Sequence, residues 1–308
     1  MNEMKQCPVQ FGTDDCLLGM VTVPAGGRRA PVACVMLNMG ANHRVGPHRI
    51  NVKLAHALAA SGMSSLRFDL GGVGDSEAAG SAVDLRTRAV IDLQAGMDVL
   101  EDMLGVNRFV IVGMCSGAEH AMATAMVDAR VIGLSMFDGF SFPSRRARWE
   151  RALRRALAAP THPAFAGKAR RWLKRHLPWH REAAMPGFLA DEIDRGASQK
   201  WFAAAMQKLT ERKVAIHLLF SGSLSVCDRD RDQLGSFRRE PFARHVQYEF
   251  IRQIDHTVCT ALGQQLFVKV VGDWVLGIGD TVRRQQQEID RADRPAHDTA
   301  SADARAFH

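Results

Sequence analysis

Several features that would place this chain quickly are missing. None of its six cysteines (Cys7, Cys16, Cys34, Cys115, Cys227, Cys259) stands in a C-x-x-C pair. That argues against a zinc site or a disulfide framework and fits a reducing, cytoplasmic setting. No run reaches the roughly 18 apolar residues that a membrane span needs. The opening MNEMKQCPVQ has no basic flank leading into an apolar stretch, so no secretory signal is expected there. No internal repeat is present, and no metal or cofactor is expected.

What is present is a chain of 308 residues, 46% of them apolar, enough for one large core with an insertion. The net charge of +7 is local. Between Ser141 and His176 stand eleven Lys/Arg residues (145, 146, 148, 151, 154, 155, 168, 170, 171, 174 and 175) against one acid, Glu150. The rest of the chain is therefore slightly acidic. A charge confined to one insertion, with no recognition motif beside it, argues against nucleic acid.

Along the chain, strand-like and helix-like stretches alternate. Residues 8–13 and 16–23 read as a hairpin turning at Asp14-Asp15. Continuous apolar runs follow at 31–38, 63–70, 108–113, 130–137, 213–220 and 245–251, separated by helical patterns at 50–61, 86–104, from 116, and at 260–276. Strands this apolar, spaced by helices, predict an α/β architecture with a mostly parallel sheet covered on both faces. The expected organisation is a core of 1–140 and 201–282, a basic helical cap at 141–200 and a polar, disordered tail at 283–308. Within the cap, Trp149, Leu153 and Leu157 recur every four residues, and the stripe is expected to pack on the core.

Ligands of such sheets sit at the carboxyl ends of the strands. Directly after the run 108–113 comes Gly113-Met114-Cys115-Ser116-Gly117, followed by a helix. This fits a G-x-nucleophile-x-G elbow with Cys115 as nucleophile, activated by the amides of the following helix. The frame selects Cys115 rather than Ser116, since Met114 is not small. The base belongs in the loop after the last strand, where His256 stands. For the acid the sequence leaves two positions open, Asp138 at the end of 130–137, which is favoured, and Asp228 (with Asp230 and Asp232) after 213–220. The oxyanion hole would use the amide of Ser116 and one from Met39, Gly40 or Ala41, with Gly40 permitting close backbone approach. Asn42, His43, Arg44 and His48 would line the mouth.

These residues carry a resemblance. Over about residues 9–280 the chain resembles the α/β-hydrolase superfamily, and Asp69-Leu70-Gly71-Gly72-Val73-Gly74-Asp75-Ser76 matches its D-x-x-G-x-G-x-S turn. More narrowly, NMGANHRVGPHR, LRFDLGGVGDS, GMCSGA, MFDGFSFP, FSGSLSVCDRDRDQL and DHT resemble bacterial hydrolases associated with exosortase and exopolysaccharide clusters. The elbow cysteine is similar to those of dienelactone hydrolases and polyester synthases. The resemblance implies hydrolysis of an ester or thioester. It also favours Asp138, because the superfamily's Gly-x-x-Asp after 213–220 is broken by Ser225. Two rival readings stand beside this one. The first is an acyltransferase passing an acyl group from a CoA or carrier-protein thioester to an amine, alcohol or thiol, with the basic cap receiving the acidic partner. The second is a non-catalytic binding member of the fold. A homodimer is compatible with each.

Overall fold

A computed structural model describes residues 4–26, 30–37, 39–40, 42–78, 83–142, 149, 153, 195–222 and 233–292. Within them lies one eight-stranded sheet. Its strands are β1 (Lys5–Phe11), β2 (Leu17–Val23), β3 (Ala33–Leu37), β4 (Ser65–Phe68), β5 (Phe109–Met114), β6 (Val131–Phe137), β7 (Ala215–Ser221) and β8 (Val246–Ile251). Their order across the sheet is β1-β2-β4-β3-β5-β6-β7-β8. β1 and β2 pair antiparallel, β2 meets β4 antiparallel, and all pairings from β4 to β8 are parallel.

Parallel strands need crossovers, and the helices supply them. These are α1 (Ile50–Ala60), α2 (Leu85–Leu104), α3 (Ser116–Val127), α4 (Arg195–Glu211) and α5 (Ala261–Ala292). α2 begins where the Asp84 carboxylate accepts the amides of Arg86 and Thr87 and ends at Gly105, whose φ of 66° suits a left-handed cap. One face of the sheet packs Leu66, Phe68, Ile111 and Leu134 against Leu93 and Met97 of α2, Met122 of α3 and Phe202 of α4. The other packs Met36, Val110 and Val112 against Leu54 of α1 and Phe267, Val271 and Val275 of α5. With both faces covered, β3 is buried at every position, which is why it reads as an unbroken apolar run.

Two expected boundaries move. The helix that returns the chain to the core starts at Arg195, ahead of the expected 201. α5 runs to Ala292, so residues 283–292 are helical rather than part of a tail. Its last core anchor is Val282; beyond it the turns are polar and held along the helix by Gln286 Nε2 on Asp290 Oδ1. Polar helix of this kind leaves no apolar period to read. Residues 293–308 and most of the expected cap lie outside the described residues. Of its apolar stripe, Trp149 and Leu153 are described, and both are exposed rather than packed on the core. No helix among the described residues is long and apolar enough to cross a membrane.

Candidate active site

The elbow closes at the carboxyl end of β5. Cys115 takes φ 52° and ψ −116°, a conformation that a non-glycine residue holds only under constraint. The constraint is visible: the Cys115 amide donates to the Phe137 carbonyl of β6 (2.8 Å), and the Ala118 amide donates back to the Cys115 carbonyl (3.1 Å). The preceding strand must let α3 begin at once. A Cβ added at Gly113 would stand 2.5 Å from the Gly117 carbonyl oxygen, so nothing larger than glycine fits. Cys115 is half-buried, at the mouth of this turn.

His256 arrives from the loop after β8. That loop is shaped by Asp255, whose carboxylate accepts the amides of Thr257 (3.0 Å) and Cys259 (2.8 Å) and the Thr257 hydroxyl (2.9 Å). Ile254 and Val258, both fully buried, pin it on either side. The imidazole lies over Phe137 at 6.4 Å between ring centres. The bracing role of Asp255 was not read from the sequence, although an acid two residues before a threonine is the signal of a side-chain-capped turn.

Asp138 completes the row. It follows β6 directly, and its side chain is closed to solvent. The Asp138 amide donates to the Leu219 carbonyl (3.0 Å), the Ser221 amide donates to Oδ1 (2.8 Å), and His256 Nδ1 lies 2.9 Å from Oδ2. Like Cys115 it has a positive φ, 51°. The alternative acid, Asp228, and its neighbours Asp230 and Asp232 lie outside the described residues.

The electrostatics follow from the geometry. The Asp138 carboxylate, and then the hydrogen bond to Cys115, push the His256 imidazole up to about 10. The same hydrogen bond from His256 holds the Cys115 thiol below its ordinary value, against burial, with the Ser116 amide helping. Each partner thus favours the charged form of the other, the thiolate on Cys115 and the imidazolium on His256.

Of the expected oxyanion residues, Ser116 opens α3, and the Gly40 amide donates to its Oγ at 2.7 Å. A Cβ on Gly40 would meet nothing within 4 Å. Glycine serves there through its φ of 53°, not by allowing the close approach that the sequence suggested. Met39 is buried in the core, and Ala41 lies outside the described residues.

The expected mouth residues divide. Asn42 and His48 are exposed. Arg44 gives its backbone amide and its guanidinium to the buried Asp69 carboxylate and reaches Asp75 Oδ2 at 2.7 Å, while His43 Nε2 lies 3.1 Å from the same Asp75 oxygen. Ser76 donates to the Asp69 carbonyl (2.7 Å) and accepts the Leu18 amide (2.9 Å). The D-x-x-G-x-G-x-S turn therefore ties the loop after β3 to the loop after β4. His43, Asp69 and Asp75 offer ligand atoms within 4.8 Å of one another, but the Arg44 guanidinium already supplies the cation among them.

Comparison with solved structures agrees with this architecture. An α/β serine hydrolase homologue from Coxiella burnetii aligns with 89% of this chain and 97% of its own at 15% identity, with a TM-score of 0.52. A lidless α/β serine hydrolase from Xanthomonas campestris aligns with 91% and 95% at 13% identity, TM-score 0.53. A dienelactone hydrolase from Anabaena variabilis aligns with 89% and 98% at 14% identity, TM-score 0.51. No protein-family model matches the chain, and no curated protein matches it by sequence. The fold is the α/β-hydrolase fold.

Proposed function

We propose that this chain is an enzyme that cleaves an ester or thioester through an acyl group carried on Cys115, with His256 as its acid–base partner and Asp138 as the acid that orients the imidazole. The observation that carries this reading is the continuous hydrogen-bonded row from thiol to imidazole to buried carboxylate, with the sulfur presented on a constrained turn. In the reaction, the Cys115 thiolate attacks the substrate carbonyl and forms the C–S bond. The oxyanion is received at the start of α3. Collapse breaks the bond to the leaving alcohol or thiol, which takes the proton from His256. Water then attacks the acyl-cysteine, giving a proton to the now neutral His256. The second collapse expels the Cys115 sulfur, releases the carboxylic acid and restores the ion pair.

The cysteine itself favours acyl transfer as a second reading. The aligned proteins from Coxiella and Xanthomonas are described as serine hydrolases. An acyl-cysteine is a thioester, which yields to amines and thiols more readily than the oxygen ester that a serine would form. The +10 segment at 141–176 is suited to a CoA ester or an acidic carrier protein as donor.

Intact-mass analysis after a short exposure to p-nitrophenyl acetate is expected to show one acetyl group on Cys115, lost with time in water. Partition of that group to an added amine or thiol beyond its share of concentration would make the enzyme a transferase. Absence of any Cys115 adduct, with phenol release no faster than in buffer, would make the chain a non-catalytic member of its fold.

A further inference from the structure

We propose that the Ser116 side chain is itself an oxyanion donor, so that Ser116 offers the developing charge both its backbone N–H and its hydroxyl, with the Gly40 amide acting through that hydroxyl rather than on the substrate. This rests on the reading of Cys115 as an acyl-carrying nucleophile.

With Gly40 as the second donor, an oxyanion hole built from two amides would need the Gly40 N–H free to point at the reacting carbonyl oxygen. It is not free: it donates to Ser116 Oγ at 2.7 Å, across 76 residues of sequence. A hydroxyl has one hydrogen to give and two lone pairs to receive. One lone pair of Ser116 is taken by Gly40, and among the described residues no group accepts the hydroxyl hydrogen. That hydrogen sits on the residue directly after the nucleophile, at the first position of α3, while the same residue's amide already serves the Cys115 sulfur.

Two arrangements are then open to an arriving oxyanion. Gly40 must leave Ser116, exchanging one good hydrogen bond for another, or the hydroxyl must turn its unused hydrogen to the oxyanion while keeping Gly40. The second breaks no bond. It also polarises the O–H, because an oxygen that accepts an amide hydrogen becomes a better donor. Gly40 is held at φ 53° with open space around its Cα, so its conformation aims the amide at Ser116 without any pressure from neighbouring side chains. Gly40 is thus a positioning residue, and Ser116 is the group that touches the reacting atoms.

The two arrangements predict opposite signs for Ser116→Ala. If the hydroxyl is the donor, removing it slows Cys115 acylation by p-nitrophenyl acetate about 100-fold, the scale of one lost oxyanion donor. The loss falls on the acylation rate constant at saturating ester, with KM little changed. If the hydroxyl only plugs the hole, removing it frees the Gly40 amide, and acylation stays as fast or becomes faster. Iodoacetamide alkylation of Cys115 provides the control, since it needs the thiolate but develops no oxyanion. The expected result is a slow Ser116→Ala acylation, an alkylation rate within about twofold of the parent, and recovery of most of the acylation rate in Ser116→Thr. Acylation of Ser116→Ala at the parent rate or above would overturn the proposal. So would a parallel fall in alkylation, which would place the effect on the thiol, and so would a Ser116→Thr variant no faster than alanine. Failure of the unsubstituted protein to become acylated on Cys115 would instead overturn the reading on which this inference stands.

Discussion

Two histidines, one in the loop beyond β8 and one in the middle of β7, teach what makes a site in this fold. His256, with Cys115 on one side and Asp138 on the other, stands at the carboxyl end of β6 and is pushed up to about 10. His217, in the middle of β7, also has a hydroxyl and a carboxylate for neighbours: Ser135 Oγ lies 3.0 Å from its Nδ1, and Glu249 Oε1 lies 3.5 Å from its Nε2. By residue type the second row looks like a catalytic triad. Physically it is the reverse of one. His217 is fully buried and stacked on Trp274 at 5.2 Å, and desolvation pushes it down to about 4. Its carboxylate is too distant for a hydrogen bond, and its hydroxyl is 1% exposed, closed to any substrate. Both residues of the first row that flank the imidazole, Cys115 and Asp138, have positive φ; Ser135 and Glu249 lie in regular strand. The strand end, where the backbone can turn a side chain outward, separates the two rows.

The comparison breaks most sharply at the sulfur. Cys115→Ala is expected to lower turnover of an activated ester by roughly 10⁵-fold or more, to the rate of the remaining pocket. Ser135→Ala should leave turnover within about twofold. Equal losses would show that the buried row takes part in the chemistry.

Asp138→Asn comes next, at roughly 10³- to 10⁴-fold in kcat. The amide cannot hold the imidazolium, so His256 falls from about 10 toward its ordinary value and the thiol loses its charged partner. For a reaction that needs thiolate and imidazolium together, activity rises as Cys115 loses its proton and falls as His256 loses its own. The expected change is therefore a narrower pH profile, its alkaline limb moved to lower pH, while the acid limb does not move up, because the Asp138 charge raises the Cys115 thiol and its loss does not. A profile unchanged in shape would remove Asp138 from the row.

How far these features were readable differs from one residue to the next. The sheet was legible because strands buried on both faces carry continuous apolar runs, and Cys115 and His256 stood out because glycine spacing and strand ends are local signals. The choice between Asp138 and Asp228 was left open, and what holds Asp138 beside His256 explains why. Its grip comes from the Leu219 carbonyl and the Ser221 amide on the neighbouring strand, partners set by sheet register rather than by nearby sequence. The bond from Gly40 to Ser116 is hidden for the same reason. Arg44 and His43 suggested substrate contacts because loop charges look alike from sequence; only the fold shows Asp69 buried beneath them. The far end of α5 was missed because its polar turns need helix propensity and capping, not an apolar stripe.

The smallest effect on chemistry, and the one that sharpens the contrast most, belongs to His217. Its folded-state value lies below the ordinary 6.5, so at pH 4 to 6.5 the unfolded chain binds more protons than the native one. Stability contributed by the neutral ring is therefore full above about pH 6.5 and is lost as pH falls toward 4, on the order of 3 kcal/mol in all. His217→Phe should abolish this part of the acid slope while leaving ester turnover within about twofold. It also leaves the Ser135 hydroxyl buried without its partner, a cost of about 1–3 kcal/mol at pH 7. Adding Ser135→Ala removes the orphaned group, so the double variant should regain much of that loss, because an apolar pair in an apolar layer has nothing left unsatisfied. Urea unfolding of the parent, the single and the double variant at pH 5 and pH 7.5 measures both effects. If the parent and His217→Phe lose stability equally between the two pH values, His217 is not held neutral by burial. The contrast with His256 would then rest on geometry alone.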